Sequence, residues 1–134
     1  MVVLWYLLPA ITLIVFLFVA SFHFGKEDNV FGFNKKIKFL NFLLFLKGSL
    51  VVSAPMYFNF DETAKIFQVL DVNVSNIDNQ MFLIMVFVSL LSNFFISKNI
   101  LISFLDSLSI ILLNYTFDPL IAFTVYFCFL HSIR

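Results

Sequence analysis

The chain has 134 residues, of which 62% are hydrophobic and only 12% are charged, and its mean hydropathy is +1.04. Soluble domains average about 45–50% apolar and about 25% charged residues, so this composition excludes an ordinary soluble protein and is typical of one embedded in a membrane. The formal net charge is zero, which argues against a nucleic-acid partner because such binding needs a concentrated basic patch.

The distribution of apolar residues indicates several membrane helices. A helix that crosses a bilayer needs about 20 mostly apolar residues, and four or five stretches of about that size can be marked off in the chain. The sequence therefore predicts an all-α, polytopic transmembrane helical bundle, a single membrane domain with one short interfacial helix. The five predicted spans of this domain, which covers residues 1–134, lie near residues 1–22, 39–58, 81–97, 99–115 and 119–134.

Each of the first two predicted spans has a polar residue within it or directly after it. Residues 1–22 contain no charged side chain and are longer than the apolar core of a signal peptide, so we interpret them as a retained helix. His23 follows directly, where the apolar run meets a charged loop. The second span includes Lys47, whose ammonium group needs a polar neighbour or must extend to the membrane interface.

Residues 59–80 are the least apolar part of the chain. Within them NFDETAKIFQVL has acidic residues in its first turn and places Ile66, Phe67 and Leu70 at helical spacing. This amphipathic pattern predicts a short helix that lies along the membrane surface.

The third and fourth spans are separated by Lys98 alone, which predicts a tight antiparallel pair of helices. The fourth span carries Asp106 at its middle, where an unpaired charge would cost about 3 kcal/mol or more. We therefore expect Asp106 to face the interior of the bundle. Two roles stay open for it: a structural pairing with Lys47 or a polar cluster, or a part in a functional site.

The fifth span begins at Pro119, a residue favoured at the first position of a helix, and has only 16 residues. It ends within a turn of His131, so we expect the chain to be a fragment. The single cysteine, Cys128, cannot form an internal disulfide, and its apolar surroundings favour a small buried hydrophobic side chain over a reactive thiol.

The positions of the lysines predict the orientation. Positive residues accumulate in cytoplasmic loops, so the loop at 23–38 should be cytoplasmic and the protein should span the inner (plasma) membrane several times. Alternation of the spans then puts His23 and His131 on the same side at comparable depth, which is the minimum requirement for one shared site. The lysines of this loop are Lys26, Lys35, Lys36 and Lys38.

The segments around the two histidines, SFHFGKED and YFCFLHSIR, resemble two signatures of the Brp/Blh family of membrane-bound β-carotene 15,15′-dioxygenases. In that family a histidine followed by Phe-Gly and an acidic residue closes one helix, and a later H-S-x-R-H supplies two further histidines. His23 with Gly25 and Asp28 fits the first signature, and residues 131–134 fit the second. Residues 48–70 are similar to the middle segment of the family.

The resemblance implies oxidative cleavage of β-carotene by O2 at its central double bond, giving two molecules of all-trans-retinal. It implies Fe(2+) as cofactor with His23 and His131 as metal ligands, and a functional link to a retinal-binding rhodopsin in the same lipid bilayer. The family's early H-G-x-x-D helix and its final histidine fall outside the chain. Only two of four expected ligands are then present, so we expect this fragment to be inactive by itself.

Two carboxylates are candidates for supporting the metal ligands. Asp28 lies five residues beyond His23, where it could accept the second ring N–H of an imidazole, as metal-bound histidines usually require. The alternative for Asp28 is a solvated loop carboxylate beside Lys26. Asp106 is the second candidate, with the structural alternative described above.

Two functions of other classes remain open from the residues alone. In a haem-binding membrane electron carrier the same two histidines would be axial ligands of the iron. In a non-catalytic helical subunit both would be interfacial side chains without a ligand. Visible absorption of the purified protein distinguishes the haem carrier from the other two.

Overall fold

The computed structural model describes residues 6–27, 38–74 and 76–131. The side chains of residues 27, 130 and 131 are outside that description. The elements in these residues are helices: α1 Pro9–Glu27, α2 Leu40–Phe58, α3 Phe60–Val69, α4 Asn79–Ile96, α5 Ile100–Thr116 and α6 Pro119–Val125, which continues as a π-helix, Tyr126–His131.

The helices have the length and composition of a membrane bundle, which confirms the predicted fold class. In the described part of the chain three segments are long and apolar enough to cross a bilayer: Pro9–Lys26, Leu40–Phe58 and Asn79–Ile96. Ile100–Thr116 and Pro119–Phe129 are shorter apolar helices. Large apolar side chains such as Phe18 (60% exposed) and Phe95 (72%) cover the outside, as a lipid-facing surface requires. The count of five crossings stays a prediction.

Helix α2 is the centre of the bundle because it packs most extensively against both α1 and α4 and also contacts α5. Its buried positions include the small residues Gly48, Ser49, Ser53 and Ala54. Small side chains at these positions let neighbouring backbones approach closely, which is the main source of helix association where water supplies no hydrophobic driving force.

The predicted short amphipathic helix is present as α3, which follows α2 after Asn59. Acidic residues Asp61 and Glu62 lie in its first turn, where they complement the positive end of the helix dipole. Thr63 is buried while the flanking acidic side chains are exposed. The helix ends before Asp71, which adopts the left-handed conformation (φ 58°) that turns the chain back towards α4.

Helices α4 and α5 form an antiparallel pair joined by the residues around Lys98, as predicted. The buried amide of Asn93 on α4 donates to Ser107 Oγ at 2.5 Å and to the carbonyl of Ser103 at 3.2 Å, both on α5. In an apolar interior these hydrogen bonds fix the register of the pair because an unsatisfied amide there would be costly.

Candidate functional site

His23 lies inside α1, because the helix continues to Glu27 rather than ending with the apolar run at Phe22. None of the residues after Phe22 interrupts a helix strongly enough to stop it. The imidazole is exposed, whereas the next residue, Phe24, is 6% exposed and belongs to the main core cluster. The turn that carries His23 is therefore anchored by Phe24 and presents the imidazole at the surface of the described bundle.

The last helix packs against this same turn of α1. The ring of Phe24 contacts the ring of Tyr126 edge-on with centroids 5.6 Å apart, and that of Phe123 with centroids 6.3 Å apart. Tyr126 begins the π-helix, a form that occurs often at functional sites, and it is only 3% exposed. The first and last helices of the described bundle are therefore in direct contact.

His131 is the final residue of that π-helix, and its backbone lies five residues beyond Tyr126. Helices α1 and α6 run in the same direction, since Leu120 lines a cavity with Phe16 while Tyr126 contacts Phe24. The structure thus brings the two histidine segments to one end of the bundle. The position of the His131 imidazole lies outside the described residues, and so does Asp28.

A glycine pair makes the approach of α1 to α2 possible beside His23. A Cβ added to Gly25 would overlap the carbonyl of Leu44, and one added to Gly48 would overlap the carbonyl of Ser21. Both obstacles are backbone atoms, which cannot rotate away as a flexible side chain can. The close crossing of these helices therefore depends on glycine at both positions.

A small polar cavity lies on the other side of Phe24. Lys47 and Asp106 both line it, with Asn93 and Ser107, and its volume is about 10 Å³. This is about the room that one water molecule needs. Asp106 is partly buried at the middle of α5, and the structure brings it to the lysine that the sequence indicated as its structural partner.

A larger apolar cavity of about 170 Å³ lies between α1, α2, α3 and α6. Apart from Thr63 its walls are apolar side chains. Phe24 and Val51 line both this cavity and the polar one, so a single layer of side chains separates the two. Its wall includes Leu17, Ala20, Phe24, Val51, Phe67 and Phe123.

The donor chemistry at the histidine end fits a metal such as iron, since neutral imidazole is a good ligand for it. Among the residues that the structure describes, no three His, Cys, Asp or Glu side chains are grouped closely enough to hold an ion. Cys128, which we expected to be buried, is exposed. Any metal site at this end would therefore need ligands beyond the described side chains.

Two features of this region were not predicted from the sequence. The Gly25–Gly48 crossing has a local signal, a glycine on each of two membrane helices, but the pairing depends on how the helices dock. The amide of Asn93 was also missed. Its signal is Ser103 and Ser107 at helical spacing, which puts two small polar groups on one face of α5.

Comparison with known proteins identifies the family of this chain. A family model described as beta-carotene 15,15′-dioxygenase matches residues 1–134, the full sequence. No curated protein and no solved structure matches the chain. The matched range includes both histidine segments and residues 48–70, whose wording carries the resemblance noted in the sequence.

Proposed function

The chain belongs to the beta-carotene 15,15′-dioxygenase family, and from that membership we propose that the protein cleaves the central double bond of β-carotene with O2 to give two molecules of all-trans-retinal. The observation that carries the proposal is the family match over residues 1–134. The helical membrane bundle supports it, because the substrate is a hydrocarbon that dissolves in lipid.

The reaction balances without any other reductant. One C=C bond breaks and two C=O bonds form, and the two carbon atoms supply all the electrons that reduce the two oxygen atoms of O2. In a dioxygenase both oxygen atoms end in the aldehydes, one in each retinal. Incubation under labelled O2 tests this step, since each retinal should carry one labelled oxygen, whereas a monooxygenase would take one of the two from water.

We propose Fe(2+) as the cofactor, with His23 and His131 as ligands. Iron supplies the activation of O2 that ordinary side chains cannot provide. Two observations support these ligands: both segments lie at one end of the bundle, and imidazole suits iron. Asp28 is proposed to accept the second ring N–H of an imidazole, which would fix its orientation. For Asp106 we favour the structural role, because it shares a cavity with Lys47.

The chain's own contribution to substrate binding is the apolar cavity beside Phe24. A hydrocarbon that enters from the bilayer gains no hydrophobic driving force over lipid, so the cavity would hold it by van der Waals packing and by shape. The walls also keep water away from the polyene. The retinal produced would leave into the bilayer, and we propose a retinal-binding rhodopsin as its acceptor in the inner membrane, with the loop at 23–38 on the cytoplasmic side.

One observation favours a second candidate, a non-catalytic helical subunit: the imidazole of His23 is exposed, as an interfacial side chain would be. Expression in cells that make β-carotene separates the candidates. The enzyme depletes β-carotene and accumulates retinal, and the purified protein contains iron. The subunit does neither, and a haem carrier would show a Soret absorption band.

A further inference from the structure

The apolar cavity is lined along one face of α1. Its wall follows this helix from Phe24 back to Phe16, a distance of about 12 Å at 1.5 Å per residue. At one end Val51 packs against Phe24, in the turn that carries His23. At the other end Phe67 of α3 packs against the cluster around Leu13. The cavity therefore runs from the histidine end of the bundle to the surface helix α3.

Helix α3 closes the far end with three side chains, Thr63, Ile66 and Phe67. Thr63 is 5% exposed, and its hydroxyl donates to the carbonyls of Asn59 at 2.8 Å and Pro55 at 3.1 Å. Those carbonyls take the hydroxyl hydrogen, and Thr63 is the one polar side chain among the described residues of the wall, so no side chain there has a free donor for a ligand. The end of the cavity therefore restricts a hydrocarbon by its shape.

The start of α3 is fixed to the rest of the bundle. The side-chain amide of Asn59 donates to the carbonyls of Asn114 at 2.6 Å and Phe117 at 3.2 Å, which belong to the junction of α5 and α6. The same residue precedes the first turn of α3 and receives the Thr63 hydroxyl. One asparagine thus links α2, α3 and the α5–α6 junction, so α3 keeps a fixed distance from the histidine end.

The other end of α3 is fixed as well. The backbone amide of Val72 donates to the carbonyl of Phe67 at 2.9 Å and closes the helix. Val72 and Val74 are buried with Leu13, and the ring of Phe67 packs on this cluster. A side chain that is held from behind by a packed cluster resists displacement by a ligand.

The cavity is too small for a whole carotenoid. Pockets that enclose a complete drug-sized ligand have about 300–1,000 Å³, whereas this one has about 170 Å³. If a carotenoid binds here, the cavity has room for one end of the polyene only. The remainder of the molecule would then lie outside the cavity.

We propose that α3 is the end-stop that decides which double bond is cut, with Ile66 and Phe67 as the determining side chains. This inference rests on the proposed function. A rigid polyene that enters until its terminal ring meets these two residues leaves one defined bond at the Phe24 end. Since a misplacement of about 1 Å can reduce a rate by about a hundredfold, a fixed stop selects a single bond.

The stop changes product lengths without changing the chemistry. Whichever C=C bond lies at the reactive position breaks, and each of its carbons takes one oxygen atom of the same O2. If the ring moves deeper, the aldehyde formed in the cavity becomes longer than retinal and its partner becomes shorter by the same number of carbons.

The first experiment compares the products that Phe67→Ala and Ile66→Ala form from β-carotene. Both changes lengthen the cavity, so retinal should fall by about a hundredfold while a longer and a shorter carbonyl product emerge as a pair. Phe67→Leu should give a smaller shift. The matched control is Val69→Ala, on the same helix but 84% exposed, and it should make retinal alone. Retinal as the sole product of both alanine variants would overturn the end-stop.

The second experiment does not depend on cleavage or on metal. Metal-free protein is titrated with polyene aldehydes of increasing length, and the longest chain that still gains affinity is recorded. In Phe67→Ala and Ile66→Ala that limit should move to longer chains, because the enlarged cavity offers packing contacts to carbons that the original wall excludes. An unchanged limit in both would contradict the proposal, as would a shift in Val69→Ala.

The two experiments separate this inference from the proposed function. A shifted length limit in a protein that never cleaves β-carotene would refute the enzyme and leave the end-stop standing. Central cleavage by every variant, with an unshifted length limit, would leave the enzyme standing and refute the end-stop.

Discussion

The ring of Phe24 stands edge-on against the ring of Tyr126, with their centroids 5.6 Å apart and their planes at 80°. This contact joins the first and last helices of the described bundle. On α1 the contact lies one residue from His23. On the last helix it lies at Tyr126, the first residue of the π-helix that ends at His131. The relative position of the two histidine segments therefore depends on an aromatic contact between residues that are not themselves ligands.

Replacement of Phe24 should loosen this junction. Phe24→Ala removes a core side chain and should cost about 3–5 kcal/mol of unfolding free energy. The measurement is thermal or denaturant unfolding in detergent. Phe22→Ala is the matched control because that ring is exposed, and it should change stability by less than about 0.5 kcal/mol. Equal losses in the two variants would argue against a packing role specific to Phe24.

The glycine crossing of α1 and α2 gives a second prediction. Gly48→Ala places a methyl group against the backbone of Ser21, so the helices must move apart, and we expect a loss of at least about 3 kcal/mol, the upper end of the usual overpacking cost. Ser53→Ala on the same helix is the control. Its buried hydroxyl has no hydrogen-bond partner among the described residues, so its removal should be neutral or stabilising. A stable Gly48→Ala protein would show that the crossing is wider than described.

The shared cavity of Lys47 and Asp106 predicts energetic coupling between them. Either Lys47→Met or Asp106→Asn alone leaves a charge in the bundle interior without its counterpart, and each should cost about 3–5 kcal/mol. The double variant should lose much less than the sum. The readout is a double-mutant cycle from unfolding data, and additive losses would refute the pairing. Retinal production should survive Asp106→Asn because the amide can still form hydrogen bonds, although the yield of folded protein should fall.

Orientation in the membrane is tested by reporters. A reporter inserted after Lys36 should read cytoplasmic, because the lysine-rich loop stays on that side. One inserted at Asp71, in the turn after α3, should read external. If both read the same side, the predicted topology is wrong.

Much of the fold could be predicted because it depends on local composition. Long apolar runs predict membrane helices, and the spacing of Ile66 and Phe67 predicts α3. The end of α1 was less predictable. An apolar run indicates which part of a helix contacts lipid, whereas the helical backbone can continue into the polar residues that follow, here to Glu27. Cys128 was placed wrongly for a related reason: an apolar neighbourhood in a membrane protein includes the lipid-facing surface as well as the core.

The site could be predicted only in part. The residues around His23 and His131 were sufficient to predict the family, and the family model agrees. The contact of Phe24 with Tyr126 joins residues about a hundred positions apart, and no local pattern specifies it. The cavity and its closure by α3 likewise arise from the docking of four helices.

The two histidines as iron ligands are tested by the iron content and retinal yield of His23→Ala and His131→Ala in the intact gene product, with Phe22→Ala as the exposed neighbouring control. Loss of one imidazole removes a bond to iron, so metal retention should fail before substrate binding does. We predict that both histidine variants lose iron and retinal production together, while the control keeps both. Normal iron and normal retinal in both histidine variants would show that His23 and His131 are interfacial side chains and do not bind iron.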